Sequence, residues 1–209
     1  MYVTAPTRGA SSLRKRRAPT VAPAYQAENV RRVIERVAEE TDDAALRQSL
    51  HFSTGVVDRI TRQMQLGCTV ITDSNLICTG IDRAPAEGLP VRFSCSMDDP
   101  MVVNFAEQKH ITRAEVAIEQ SLSISGPKLI VIGSAPMALN RLLQLHKNAP
   151  LREVVIIGAA TGFANIVELK ERLWESGLPC VVARGRKGGP VTAIAIVNAL
   201  LQEAAAQRA

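Results

Sequence analysis

The sequence predicts an α/β fold in three layers, a mostly parallel sheet with helices on both faces. Three observations predict it. Apolar runs recur at 128–132 (KLIVI), 153–157 (EVVII) and 179–183 (PCVVA). Runs without polar alternation suit strands buried on both sides, as in a parallel sheet covered by helices. Each run ends in a glycine-containing break, and each break precedes a stretch of helical periodicity, so the last third of the chain reads as consecutive βα units.

At 209 residues the chain is long enough for one sizeable core and short for two, so 25–209 reads as a single domain. Aromatics make up only 3% of the residues, so that core is built from Val, Ile, Leu and Ala. Residues 1–24 are rich in Pro, Ala and Arg without periodicity and read as a disordered basic arm. Arg8, Arg14, Lys15, Arg16 and Arg17 account for the whole net charge of +5. The body is therefore balanced, which argues against a nucleic-acid-binding face. The arm has no apolar segment behind its basic residues and is not a secretory signal, and no apolar run is long enough for a bilayer. Cys68, Cys78, Cys95 and Cys180 form no CxxC pair and no cluster with His, which predicts no metal site and reduced thiols in a cytoplasmic protein. Of these, Cys68, Cys95 and Cys180 lie in apolar runs and read as core residues.

Structure is expected to begin near Tyr25. Val30, Val33, Ile34 and Val37 mark one face of a helix over 26–40, and Thr41-Asp42-Asp43 caps a short helix after it. Ser53-Thr54-Gly55 opens a third helix with Val56, Val57, Ile60 and Met64 inward, stopped by Gly67. Residues 68–72 form a strand ending at Asp73, and 79–90 is turn-rich. Residues 91–97 form a second strand, closed by Asp98-Asp99-Pro100, and a helix covers about 111–123. The three βα units complete the chain.

The breaks after the last three strands carry the chemistry. They fall at the C-terminal ends of parallel strands, the edge where open α/β sheets bind ligands. Residues 133–136, 158–162 and 185–189 are therefore expected to converge on one cleft. Gly185, Gly188 and Gly189 let backbone approach a ligand, the helix after them offers unpaired N–H groups, and Arg186 and Lys187 add full charges. That combination suits a carboxylate or phosphate. The P-loop pattern is absent, because Lys187 precedes the glycines and no Ser or Thr follows; the dinucleotide fingerprint is absent too.

Taken together these loops resemble the precorrin-8X methylmutase family. Ile132 to Leu139 (IGSAPMAL) is similar to the family's IGNAPTAL, and Gly158 to Lys170 (GAATGFANIVELK) to its GxPVGFVGAxESK. Gly185 to Leu200 (GRKGGPVTAIAIVNAL) is similar to GRxGGSxxxxAxxNxL, and Thr112-Arg113-Ala114 to TRS. Cys95 to Pro100 and Leu50 to Ser53 resemble the family's C-x-x-x-DP and LxFSP. The six motifs keep family order from about residue 36 to 203.

The resemblance implies a corrinoid macrocycle rimmed with carboxylates as ligand, migration of a methyl group from C-11 to C-12 to give hydrogenobyrinate, no cofactor, no metal, and a homodimer. It implies ligand contacts at Thr112, Arg113, Gly133, Ser134, Ala135, Pro136, Gly162, Phe163, Gly185, Arg186, Lys187, Gly188 and Gly189, with Arg113 and Arg186 pairing with carboxylates. The family's proton-donating His lies in an R-[MV]-[VI]-H-A-x-G segment. Its counterpart is Arg36 to Asp42, which places Glu39 there as candidate acid, a role that requires burial to raise its pKa. The family has Asn at the Ser134 position, Thr at Met137 and Pro-Val at Ala160-Thr161, and its first helix has no counterpart beyond Tyr25. His51, His110 and His146 match no family position and read as surface or capping residues. Two functions stand open: an isomerase of cobalamin biosynthesis, or a silent homologue that binds a tetrapyrrole or another polycarboxylate. Neither needs nucleic acid or a membrane.

Overall fold

The structure, a computed structural model, describes residues 27–162 and 165–208. The basic arm, Tyr25 and Phe163 lie outside these residues.

Helix α1 (Glu28–Glu40) buries Val33, Ile34, Val37 and Ala38. A single turn, α2 (Leu46–Ser49), leads directly into β1 (Leu50–Phe52). Helix α3 (Val56–Leu66) starts behind Gly55, whose φ of 69° is the left-handed region, and ends at Gly67. Strand β2 (Cys68–Thr72) is buried throughout and is followed by α4 (Asn75–Gly80), a 3-10 turn at Ala84–Ala86, and β3 (Val91–Ser94). Two helices, α5 (Pro100–Lys109) and α6 (Arg113–Ser121), precede β4 (Lys128–Ile132). The remaining elements are α7 (Pro136–Asn148), β5 (Val154–Gly158), α8 (Ile166–Glu175), β6 (Cys180–Ala183) and α9 (Pro190–Ala206).

The six strands form one sheet in the order β1-β6-β5-β4-β2-β3. Every neighbouring pair is parallel except β1 on β6. Alternate residues of the central strands feed two cores. Leu129, Val131, Val155 and Ile157 face α1, α3 and α9. Ile130, Ile132, Val154 and Ile156 face α6, α7 and α8. The expected three layers are present. The switch in strand order falls at β2, with β3 on one side and β4 on the other.

Five local expectations are corrected. The stretch 50–52 forms an edge strand, because Leu50, His51 and Phe52 pair antiparallel with Ala183, Val182 and Val181. The second strand stops at Ser94. Asp99 and Pro100 open a helix rather than a turn: the Asp99 carboxylate accepts the Met101 N–H at 2.8 Å and Pro100 takes the first helical position. The region read as turns, 79–90, begins inside α4, which Ser74 caps by accepting the Ile77 N–H, and holds the 3-10 turn at Ala84–Ala86. Cys68 and Cys180 are buried, and burial pushes their thiols up to about 11 and about 12; Cys95 is half-buried, not core. Among the described residues no helix is long and apolar enough to cross a membrane.

Candidate functional site

The three turns meet at the C-terminal edge of the sheet, and each junction is a named contact. Strand β2 ends at Asp73, whose buried carboxylate accepts the N–H groups of Gly133 at 3.2 Å, Ser134 at 2.8 Å and Ala135. Beside it the hydroxyls of Ser74 and Ser134 lie 3.0 Å apart. The 158–162 turn joins the 185–189 turn where the Gly189 N–H meets the Ala159 carbonyl at 2.6 Å. A side chain at Gly188 would collide with that same carbonyl, and one at Gly133 would collide with Ala193 and Ile77. Glycine is required at both places so that turn can pack on turn and helix on strand.

Helix α1 reaches this edge because α9 holds it there. Glu203, buried in α9, binds Arg36 Nη1 and Arg32 Nε, each at 3.1 Å. One helix end further on, Asn198 Nδ2 donates to Glu40 at 2.7 Å while its carbonyl oxygen accepts the Asp82 N–H at 2.9 Å. Beyond α1, Lys187 Nζ donates to Asp43 at 2.7 Å. That bond holds the Asp43 carboxyl below its ordinary value, against the opposing pull of desolvation. On the other flank, Asn75 donates to Asp98, and Arg113 Nη1 lies 3.9 Å from the same carboxylate.

Expectations for individual residues divide. Ser134, Gly162, Arg186 and Lys187 are exposed at the common edge, as are Thr112 and Arg113 on its flank. Arg186 makes no ion pair among the described residues. Ala135 and Pro136 are half-buried at the start of α7. Two proposed donors are already engaged. The amides of residues 133 to 135 point at Asp73, so this turn spends its backbone N–H groups inside the protein. Burial raises the Asp73 carboxyl, and the three amides pull it back. The Thr112 hydroxyl belongs to a capping box, donating to Glu115 at 2.8 Å and receiving the Glu115 N–H.

Glu39 sits exposed in the last turn of α1, next to Glu40 and ahead of Asp43. It reaches the right edge, but the burial its acid role requires is not supplied by the described residues. His110 ends α5 in the left-handed region at φ 53°, and His146 Nδ1 accepts the Leu151 N–H at 3.2 Å. Both are end-capping residues. His51 packs edge-on against Trp174, with ring centroids 5.7 Å apart.

The sequence reading gave no role to two residues that build the edge. Asp73 closes a strand and pins a turn. Lys170 is fully buried in α8, with Nζ donating to the carbonyls of Gly185 at 3.2 Å and Lys187 at 2.7 Å. Its signal was present: Ile166, Leu169, Lys170 and Leu173 form one inward stripe, and only one member is charged. Burial pushes the Lys170 ammonium down to about 8.

A hollow of about 540 Å³ lies elsewhere, on the outer side of α1 among Arg31, Arg32, Arg36 and Arg47. Those arginines are already paired with Glu28, Glu203 and Glu35. It is a worse place for an acidic ligand than the edge carrying Arg186.

Known proteins share this sequence pattern and fold. The profile of the precorrin-8X methylmutase family matches residues 14–203. A cobalt-precorrin-8 methylmutase of Salmonella typhimurium is 36% identical over 170 residues, covering 81% of this chain and 79% of its own. One from Methanothermobacter thermautotrophicus is 32% identical over 169 residues, covering 81% and 78%. A solved structure described as a precorrin-8X methylmutase related protein superposes with a TM-score of 0.78 at 26% identity, over 84% of this chain and 92% of that one. The chain belongs to the precorrin-8X methylmutase family.

Proposed function

We propose that this chain is an isomerase of corrin-ring construction that moves a methyl group from C-11 to C-12 of precorrin-8X to give hydrogenobyrinate. The observation that carries the reading is the junction of the strand-end turns with the Asp43 segment at one edge, in a member of this family. Relatives at 32% and 36% identity bear the methylmutase name, which favours turnover over silent binding.

The substrate carries several carboxylates; Arg186, without an ion pair among the described residues, is exposed to meet them, and Arg113 and Lys187 are exposed beside it, each facing a carboxylate (Asp98 and Asp43) that a rim acid would displace. Leu76, Met101, Met137 and Val191 are exposed on helix first turns that follow β2, β3, β4 and β6, and they suit the apolar face of a macrocycle or of a second subunit. In this reading the ring lies across the edge and its rim acids meet the cations. Glu39, in the last turn of α1, is the candidate proton donor in this reading. The homodimer and the cytoplasmic setting belong to the same proposal.

The test is incubation with precorrin-8X and with its cobalt form, followed by absorbance and mass analysis. Conversion to hydrogenobyrinate or its cobalt counterpart supports the reading. A bound spectrum without conversion reduces the chain to a corrinoid binder, and unchanged spectra with both remove the corrinoid. Sedimentation at micromolar concentration tests the dimer.

A further inference from the structure

We infer that Lys170 is the positioning residue of the 185–189 turn, holding two of its carbonyl oxygens inward so that alternate N–H groups face the ligand side. The inference rests on the reading of this edge as a site for a polyacid.

The geometry is simple. In a trans peptide the C=O of one residue and the N–H of the next point in opposite directions, and the described chain contains no cis bond. Lys170 Nζ takes the carbonyls of Gly185 and Lys187 from beneath. The N–H groups of Arg186 and Gly188 therefore point away from α8. Gly185 and Gly188, at φ 70° and 132°, supply the backbone conformations this folding-back needs. Next in sequence, the Gly189 N–H is fastened to Ala159. The result is a pair of N–H groups, those of Arg186 and Gly188, on one side of the turn with the Arg186 side chain beside them, an arrangement suited to anions.

A fully buried lysine is uncommon, and burying an ammonium is unfavourable unless hydrogen bonds and nearby dipoles compensate. No carboxylate pairs with Lys170 among the described residues. Glu171, its neighbour on α8, is turned to Arg184, with Oε1 2.8 Å from Nε. The ammonium is thus left to the two carbonyls, and its charge stands uncancelled behind the turn. Burial that holds its proton less tightly, near 8, agrees with a cation lacking a counter-ion. A structural filler at this inward position is served by Leu or Met, as its neighbours Leu169 and Leu173 show.

The test compares the full chain with Lys170→Met and Lys170→Arg. In Lys170→Met, hydrogen exchange at the Gly189 amide is expected to accelerate at least tenfold, with exchange in β4 and β5 unchanged. Hydrogenobyrinic acid is expected to bind roughly tenfold more weakly, and Lys170→Arg, which restores charge and donors, is expected to recover most of both. A folded Lys170→Met whose Gly189 amide and ligand affinity match the wild type overturns the inference. Altered exchange in a protein whose wild type ignores hydrogenobyrinic acid upholds the positioning role and removes the polyacid instead. Should Lys170→Met fail to fold, nitrogen-15 lysine spectra of the wild type decide. A Lys170 ammonium with slowly exchanging protons supports the inference, and one exchanging as freely as Lys109 or Lys147 on the surface refutes it.

Discussion

The carboxylate of Asp73 accepts the Ser134 N–H at 2.8 Å, across the boundary where the strand order reverses. Two further amides share that carboxylate, so a single side chain from the end of β2 sets the whole turn after β4. The crevice that open α/β sheets leave at a switch point is here stapled from within.

Replacing Asp73 by Ala leaves three amides without their acceptor. A loss of about 1–3 kcal/mol is expected, the range for stranding buried donors, read as a fall in the urea midpoint. Asn at the same place keeps one oxygen but brings an NH₂ group toward donors, and it is expected to recover only part of the loss. Equal stability of Ala and wild type contradicts the staple.

Glycines of the last turn separate by geometry. Gly188→Ala places a methyl group against the Ala159 carbonyl at a positive φ, so the turn must shift. Gly185→Ala meets nothing within 4 Å and bears only the left-handed penalty of about 1–2 kcal/mol. The first is expected to lower both melting temperature and ligand affinity. The second lowers melting temperature modestly, and a reversed order of severity counts against the packing described.

Arg113→Ala and Arg186→Ala are each expected to weaken hydrogenobyrinic acid by about 1.5–3 kcal/mol, the worth of a charge-assisted contact. Spectral titration measures it. Glu39→Gln keeps the shape but not the proton and is expected to abolish methyl migration while leaving binding in place. Undiminished turnover takes Glu39 out of the mechanism.

Acid and alkali should act on two different buried charges. Arg32 holds the Glu203 carboxyl below its ordinary value. Its stabilisation is complete above the unfolded value of 4.5 and is lost as pH falls through the lower folded value. Lys170 has the opposite sign. Its folded value of about 8 lies below 10.5, so the unfolded chain binds more protons between the two. The penalty is complete below pH 8 and relieved above it. Urea midpoints of Glu203→Gln and Lys170→Met, each against wild type, isolate the groups: the first gap should narrow toward pH 3, and the second should widen in favour of wild type from pH 8 to 10.

Legibility followed periodicity. The strands over KLIVI, EVVII and the run before Arg184 were plain, because burial on both faces writes itself as unbroken apolar sequence. Strand β1 was hidden: three residues carry no period, and its pairing to β6 joins Leu50 to Ala183 across the length of the fold. At the edge, the glycine turns were visible as punctuation, but their donors were not. Nothing near Gly133 says that Asp73, sixty residues earlier, has claimed its amides. Lys170 stands in an apolar stripe, the one sign of its burial, against the ordinary preference of lysines for water.

The clasp of α1 by α9 has a bearing on synthesis. Arg32, Arg36 and Glu40 find their partners in Glu203 and Asn198 of α9, between 158 and 171 residues further along the chain. At translation speeds of about 5–20 residues per second, α1 waits roughly 8–30 s for its dock. Until α9 has emerged from the ribosome, the segment bearing Glu39 lacks these partners. A nascent chain stalled before that point would carry all six strands but no assembled edge, so competence waits on α9.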